Sequence, residues 1–152
     1  MRKAIHLLKY NAKKGVLRGI EKVIKIYFNS LTFLSSDLII PIPLHKKRLK
    51  QRGFNQSELL ALIIAKYLHI KLVNNNLERI KPTPSQIALN RKERIKNMKG
   101  AFRLKNEEEL RGKNILLVDD VYTTGTTVKE ASKTIIKARP KEIYVFVLAR
   151  AI

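Results

Sequence analysis

The chain has no cysteine in its 152 residues. That excludes disulfides and thiolate zinc sites from the sequence given. Histidine is nearly as scarce: His6, His45 and His69 stand far apart, so no metal cluster is expected. Aromatic residues make up only 7%, which argues against a surface that reads nucleic acid mainly by stacking. The longest apolar runs, residues 59–65 and 143–149, fall well short of the ~20 residues of a membrane-spanning helix. Residues 4–8 are too short an apolar stretch, and too soon interrupted, for a signal peptide. No membrane insertion and a cytoplasmic location are expected.

The largest deficit is in acid. Twelve Asp and Glu face 32 Lys and Arg, a formal net charge of +20. Thermostable surfaces rich in Lys normally carry matching Glu, and here the Glu is missing. A small basic chain of this kind attracts phosphate groups, whether on nucleic acid or on a polyphosphate ligand. Hydrophobic residues at 45% and charged residues at 29% describe a globular chain, and the length suits one domain over residues 1–152.

Along the chain, an N-terminal helical segment occupies residues 1–36. Leu17, Ile20, Val23, Ile24, Tyr27 and Phe28 recur there at helical spacing, and the outer face is basic. Residues 38–44 are a short apolar run ending at Pro41 and Pro43, fit for a buried strand. Next come five basic residues within seven: Lys46, Lys47, Arg48, Lys50 and Arg52. Asn55 and Glu58 resemble a capping pair ahead of an apolar helix over residues 57–69. Residues 70–73 suit a second strand, closed by Asn74-Asn75-Asn76. Residues 79–105, with nine bases and one acid, read as a long mobile loop with a short helix near 86–94. A strand over residues 114–119 and a helix over 126–138 follow, the helix turning Val128, Ala131, Ile135 and Ile136 inward. Pro140 stops it, and residues 142–149 form the last strand. Strands alternating with helices imply a mostly parallel central sheet flanked by helices, an α/β fold.

The junction after Ile115-Leu116-Leu117-Val118 carries the chemistry. A buried strand runs into Asp119 and Asp120, then Val121, Tyr122, Thr123, Thr124, Gly125, Thr126 and Thr127, then a helix. In a parallel sheet this lies at the carboxyl edge, where such folds bind ligands. Residues 122–127 can turn successive backbone N–H groups toward an anion at the helix N-terminus. The threonine hydroxyls add donors, and Gly125 lets the backbone come close. Adjacent carboxylates repel phosphate but accept hydrogen bonds from paired sugar hydroxyls. They also favour positive charge developing at an anomeric carbon. A phosphate cradle beside a hydroxyl clamp describes a ribose 5-phosphate site. A Walker loop would need Gly-Lys-Ser/Thr and a dinucleotide fold Gly-x-Gly-x-x-Gly; both are absent. The bland reading is a capped helix with two solvated acids.

At these residues the sequence resembles a known family. Residues 118–127 match the signature with which type I phosphoribosyltransferases bind phosphoribosyl pyrophosphate (PRPP). Pro41-Ile42-Pro43-Leu44 with Arg48, then Gln51-Arg52-Gly53-Phe54-Asn55-Gln56 and Leu59-Leu60-Ala61, resemble the ComF subgroup linked to DNA uptake in natural competence. So do Arg79, Gln86, Leu89, Arg91, Arg94, Asn97 and Gly100-Ala101-Phe102. Many relatives begin with a cysteine-rich zinc-binding segment, which has no counterpart here.

The resemblance implies that Leu44, His45 and Lys46 meet the pyrophosphate half of PRPP, and that the segment from Arg79 is a flexible hood. Its closure would bring Arg91 or Arg94 toward the leaving pyrophosphate and exclude water. Arg48 and Arg52 have a second reading, as struts holding the loop to Asn55 or Gln56. Two functions are compatible with this fold. One is an Mg²⁺-dependent transferase in which a nucleophile displaces pyrophosphate, the metal arriving on PRPP or meeting Asp119 and Asp120. The other is a non-catalytic factor that binds single-stranded DNA and uses PRPP as a regulatory ligand. Lys46, Lys47, Arg48, Lys50, Arg52, Lys92, Lys96 and Lys99 would then contact nucleic acid. A homodimer is common for this fold by resemblance.

Overall fold

Asn114–Tyr122 is the strand around which the rest is arranged. Its residues 115–118 are all buried, because one core receives Ile115 and Leu117 and another receives Leu116 and Val118. A strand covered on both faces reads as a solid apolar run rather than an alternating one. The computed structural model describes residues 14–30, 35–82 and 97–150. In chain order the elements are α1 (Lys14–Asn29), β1 (Leu38–Pro41), α2 (Lys46–Arg52), α3 (Gln56–Leu68), β2 (Lys71–Leu72), β3 (Leu77–Arg79), β4 (Phe102–Leu104), β5 (Asn114–Tyr122), α4 (Thr126–Ile136) and β6 (Glu142–Arg150). A 3-10 turn at Glu108–Leu110 precedes β5.

The main sheet has the order β2-β1-β5-β6 and is parallel throughout. Helices α1 and α3 cover one face, with Ile24, Leu60 and Ile64 beneath them; α4 and the β3–β4 hairpin cover the other. The hairpin forms a separate two-stranded antiparallel sheet. The α/β architecture read from the pattern is the one observed. No helix among the described residues is long and apolar enough to cross a membrane.

Several local expectations need correction. Residues 79–105 are not simply a loop: β3 and β4 close its base, and Arg79 and Phe102 are buried there. The helix expected near 86–94 lies outside the described residues. Strand β5 continues through the two aspartates to Tyr122, because β6 keeps pairing with it as far as Arg150. In α4, Ile136 is 59% exposed rather than turned inward. In α1, Ile20, Ile24 and Phe28 are buried while Val23 and Tyr27 are not. The apolar stripe is wider than the face the sheet can cover. The basic run after His45 is a short helix, started by His45 Nδ1 accepting from the Lys47 amide at 3.3 Å and ended by Gly53 at φ 79°.

Because Leu117 is fully buried, Leu117→Ala is expected to destabilise the protein by about 2–5 kcal/mol. Leu62→Ala, at a site 40% exposed, is expected to cost much less. Urea unfolding of both variants checks the contrast.

Candidate functional site

Pairing of β1 with β5 ends at Pro41 and Val118, and the Ile42 amide then donates to the Val118 carbonyl at 2.8 Å. The segment entering residues 42–46 therefore leaves the sheet beside Asp119. The alternation of β5 also slips here. Val118 and Val121, three residues apart, both pack with the α1/α3 core, whereas strict pleating would place residues two apart on one face. The slip falls on Asp119 and Asp120.

Asp119 is buried, at 8% exposure. Its Oδ1 accepts from the Ser57 hydroxyl at 3.0 Å and from the Asp120 amide at 2.9 Å. Ser57 is held in turn: Asn55 Oδ1 caps its amide at 3.2 Å, and Asn55 Nδ2 donates to the Ile42 carbonyl at 3.1 Å. One chain of bonds thus ties the start of α3, the 42–46 segment and the first carboxylate together. Burial, and then the neighbouring Asp120 charge, push the Asp119 carboxyl up to about 7, against the pull of its two hydrogen bonds.

Beyond Tyr122 the chain turns through residues 123–125 into α4. Gly125 has φ 71°, and its carbonyl accepts from Lys129 at 2.8 Å to open the helix. A Cβ at Gly125 would lie 2.2 Å from the Tyr122 hydroxyl oxygen. Glycine is therefore needed both for the left-handed backbone and for the close approach of the tyrosine. No side chain caps the first turn of α4, and Thr124 and Thr126 share a hydroxyl–hydroxyl bond of 2.8 Å. That leaves a helix N-terminus lined with amides and hydroxyls, arranged to receive an anion.

Cations approach from the other side. Arg79, 8% exposed, places its guanidinium over the Phe102 ring and donates to Met98 Sδ at 3.3 Å. Burial chiefly, and then Arg48, lower its pKa to about 10, and the Asp119 charge opposes that shift. Arg79 also lines a cleft of about 340 Å³ together with Leu44, His45, Lys46, Arg103 and Lys105. Glu78 binds the last two cations at 2.8 and 3.2 Å.

The structure thus brings Asp119, Asp120 and residues 121–127 to the end of β5. It places Leu44, His45 and Lys46 in the neighbouring cleft, whose lining includes neither Asp119 nor residues 123–127. Lys47, Lys50 and Lys99 are exposed. Arg48 is half-buried, lowered in pKa first by burial and then by Arg52. Arg52 reaches Gln56 at 3.4 Å, as its reading as a strut expects. Arg91, Lys92, Arg94 and Lys96 lie outside the described residues. Sequence reasoning misses two members of the site. Ser57 reads only as the start of a helix, and its contact spans 62 positions, beyond the reach of any local pattern. Arg79 falls where the sequence suggests a loop, although its place in the ComF-like pattern marks it.

Residues 55–152 match the phosphoribosyl transferase domain family. The chain is 42% identical over 116 residues to competence protein F of Haemophilus influenzae, an alignment covering 76% of this chain and 51% of that protein. The chain belongs to the ComF-type phosphoribosyltransferase family. The DNA utilization protein YhgH of Escherichia coli strain K12 is 31% identical over 97% of this chain and 66% of its own length. The chain therefore spans about half to two-thirds of the length of these ComF relatives. Two solved structures share the fold. Adenine phosphoribosyltransferase from Saccharomyces cerevisiae superimposes at TM-score 0.60 with 13% identity, over 91% of this chain and 70% of that one. Glutamine PRPP amidotransferase from B. subtilis gives 0.61 with 15% identity, over 93% and 30%. Such identities speak for the ComF chain's fold alone.

The raised Asp119 pKa carries a sign. In the folded state the group keeps its proton above the ordinary value of 3.8. Its contribution to stability is therefore full below about pH 4 and is lost as pH rises through about 7. Asp119→Asn, which cannot ionise, is expected to gain stability relative to the unsubstituted protein between pH 5 and pH 8. Denaturant unfolding of both proteins across that pH range checks it.

Proposed function

We propose that this protein binds PRPP by its ribose 5-phosphate and works in the handling of DNA during uptake. The observation that carries the reading is the α4 N-terminus, opened by Gly125 and lacking a side-chain cap, shortly after the buried Asp119 and the half-buried Asp120. The amides and hydroxyls of residues 123–127 hold the 5-phosphate. Asp119 and Asp120 accept from the ribose hydroxyls, and Ser57 keeps Asp119 in place. Leu44, His45 and Lys46 meet the pyrophosphate, with Arg79 close behind them.

Two adjacent carboxylates are hard oxygen donors, and no group of three metal-binding side chains occurs among the described residues. This partial set fits Mg²⁺ carried on the pyrophosphate, since Mg²⁺ takes one or two carboxylates together with substrate phosphates. When bound, Mg²⁺ offsets the negative charge of the leaving group. In phosphoribosyl transfer, a nucleophile forms its bond to the anomeric carbon as the bond to pyrophosphate oxygen breaks, and pyrophosphate departs with the electron pair. The carboxylates stabilise the positive charge developing on the sugar. Arg91 and Arg94 are proposed to meet the departing pyrophosphate.

A second reading, a DNA-binding factor regulated by PRPP, is favoured by the net charge of +20 and by exposed Lys46, Lys47 and Lys50 on α2. Relatives named for competence and DNA utilization support the same setting, with the cytoplasm as the proposed compartment. Exposed lysines without interleaved aromatics bind a phosphate backbone electrostatically, so affinity falls steeply with salt.

Calorimetry with PRPP and Mg²⁺ is expected to show binding that disappears in the Asp119→Ala/Asp120→Ala variant. Unchanged affinity in that variant would sink the ribose clamp. Pyrophosphate release from bound PRPP would assign a transferase; binding without release would assign the regulatory role. Replacing Lys46, Lys47 and Lys50 with Ala is expected to weaken binding of a single-stranded oligonucleotide at low salt and flatten its salt dependence, with the unfolding midpoint unchanged.

A further inference from the structure

Helix α4 carries one acid, Glu130, beside the exposed Lys129 and Lys133. The lysines point to solvent, whereas the Glu130 side chain is only 16% exposed. A carboxylate withdrawn from water needs a donor. Here it is the Gly100 amide, 2.7 Å from Oε1. Lys133, 3.9 Å from Oε2, stands at the limit of an ion pair. Glu130 lies four residues after Thr126, on the same side of the helix and about 6 Å further along its axis. The start of α4 and the Gly100 turn are thus joined within little more than one helical turn.

Gly100 belongs to the stretch that seats Arg79. Met98, two residues before it, accepts from the Arg79 guanidinium, and Phe102, two residues after it, lies beneath that guanidinium. Ala101 is fixed between them. Its amide donates to the Met98 carbonyl at 3.0 Å, and its carbonyl accepts from the Ile80 amide at 2.8 Å. Helix α4 meets the same stretch in the core shared by Val128, Ala131, Met98, Ala101 and Phe102. Apolar packing of that kind is non-directional, whereas the Glu130–Gly100 hydrogen bond has a fixed direction.

We propose that Glu130 is a positioning residue: through Gly100 it holds Arg79 in the wall of the cleft and fixes that wall relative to the start of α4. The inference rests on the PRPP reading above, in which the α4 start takes the 5-phosphate and the cleft lined by Arg79, His45 and Lys46 takes the pyrophosphate. Glu130 meets neither half of the ligand and governs only the second. The cradle keeps its own anchors, because Ala131 and Ile135 are fully buried. Arg79 loses part of its seat once the Gly100 tie is cut. Charge alone predicts the opposite outcome. Removing an acid adds to the positive charge of the chain, which by itself strengthens the binding of an anion.

Calorimetry of the full chain with inorganic pyrophosphate and Mg²⁺ is expected to show binding about tenfold weaker in Glu130→Ala. Its circular dichroism spectrum and its affinity for ribose 5-phosphate are expected to stay unchanged. Glu130→Gln removes the same charge but keeps an acceptor oxygen for the Gly100 amide, and is expected to restore most of the loss. In the protein without ligand, the Arg79 Nε–H resonance is expected to move toward its unfolded position in Glu130→Ala and to stay in place in Glu130→Gln. Undiminished pyrophosphate binding together with an unmoved Arg79 resonance in Glu130→Ala overturns the proposal. So does an equal loss of ribose 5-phosphate affinity, or a Gln variant that behaves as the Ala variant does. If the unsubstituted protein binds neither ligand, the PRPP reading falls, and the Arg79 resonance alone decides the role of Glu130.

Discussion

A carboxylate buried at the end of a buried strand is costly unless something holds it. In this protein the Ser57–Asp119 bond does so, and much of the site's order can be traced to it. Ser57 is fixed by the Asn55 cap, and Asn55 is fixed by the Ile42 carbonyl. The same few atoms therefore set where α3 begins, how the 42–46 segment leaves the sheet, and where Asp119 sits. The hydrogen bonds favour the charged carboxylate, while burial and Asp120 oppose it more strongly. The first acid of the pair is poised to change charge near neutrality, a condition that recurs at functional sites.

The main sheet and the phosphate-cradle candidate were legible because they depend on local chemistry. A solid apolar strand, two acids, hydroxyl residues and one glycine specify a strand end and a helix start within a dozen positions. What stayed hidden depends on distant partners. Nothing near Ser57 in sequence announces Asp119, and nothing near Arg79 announces a β3–β4 hairpin whose second strand starts 23 positions later. Ile136, Val23 and Tyr27 were misplaced for a related reason. Helical periodicity gives the direction of a side chain but not how far the sheet extends beneath it.

The basic residues divide into two kinds. Arg48, Arg52 and Arg79 are partly or wholly buried and act within the protein, through Gln56, Met98 and the field around Asp119. Lys46, Lys47 and Lys50 are exposed on α2, next to the cleft that adjoins the carboxylates. The division fits a protein that uses arginine to build an anion site and lysine to attract a larger polyanion toward it.

The central claim is that the end of β5 and the start of α4 hold a ribose 5-phosphate. Titrating isotope-labelled protein with ribose 5-phosphate while recording backbone amide and Asp carboxyl resonances tests it most directly. The account predicts that the amides of Gly125, Thr126 and Thr127 and the Asp119 carboxyl move together, with a single affinity. Shifts confined to the Leu44–Lys46 cleft, with the α4 amides unmoved, would contradict it.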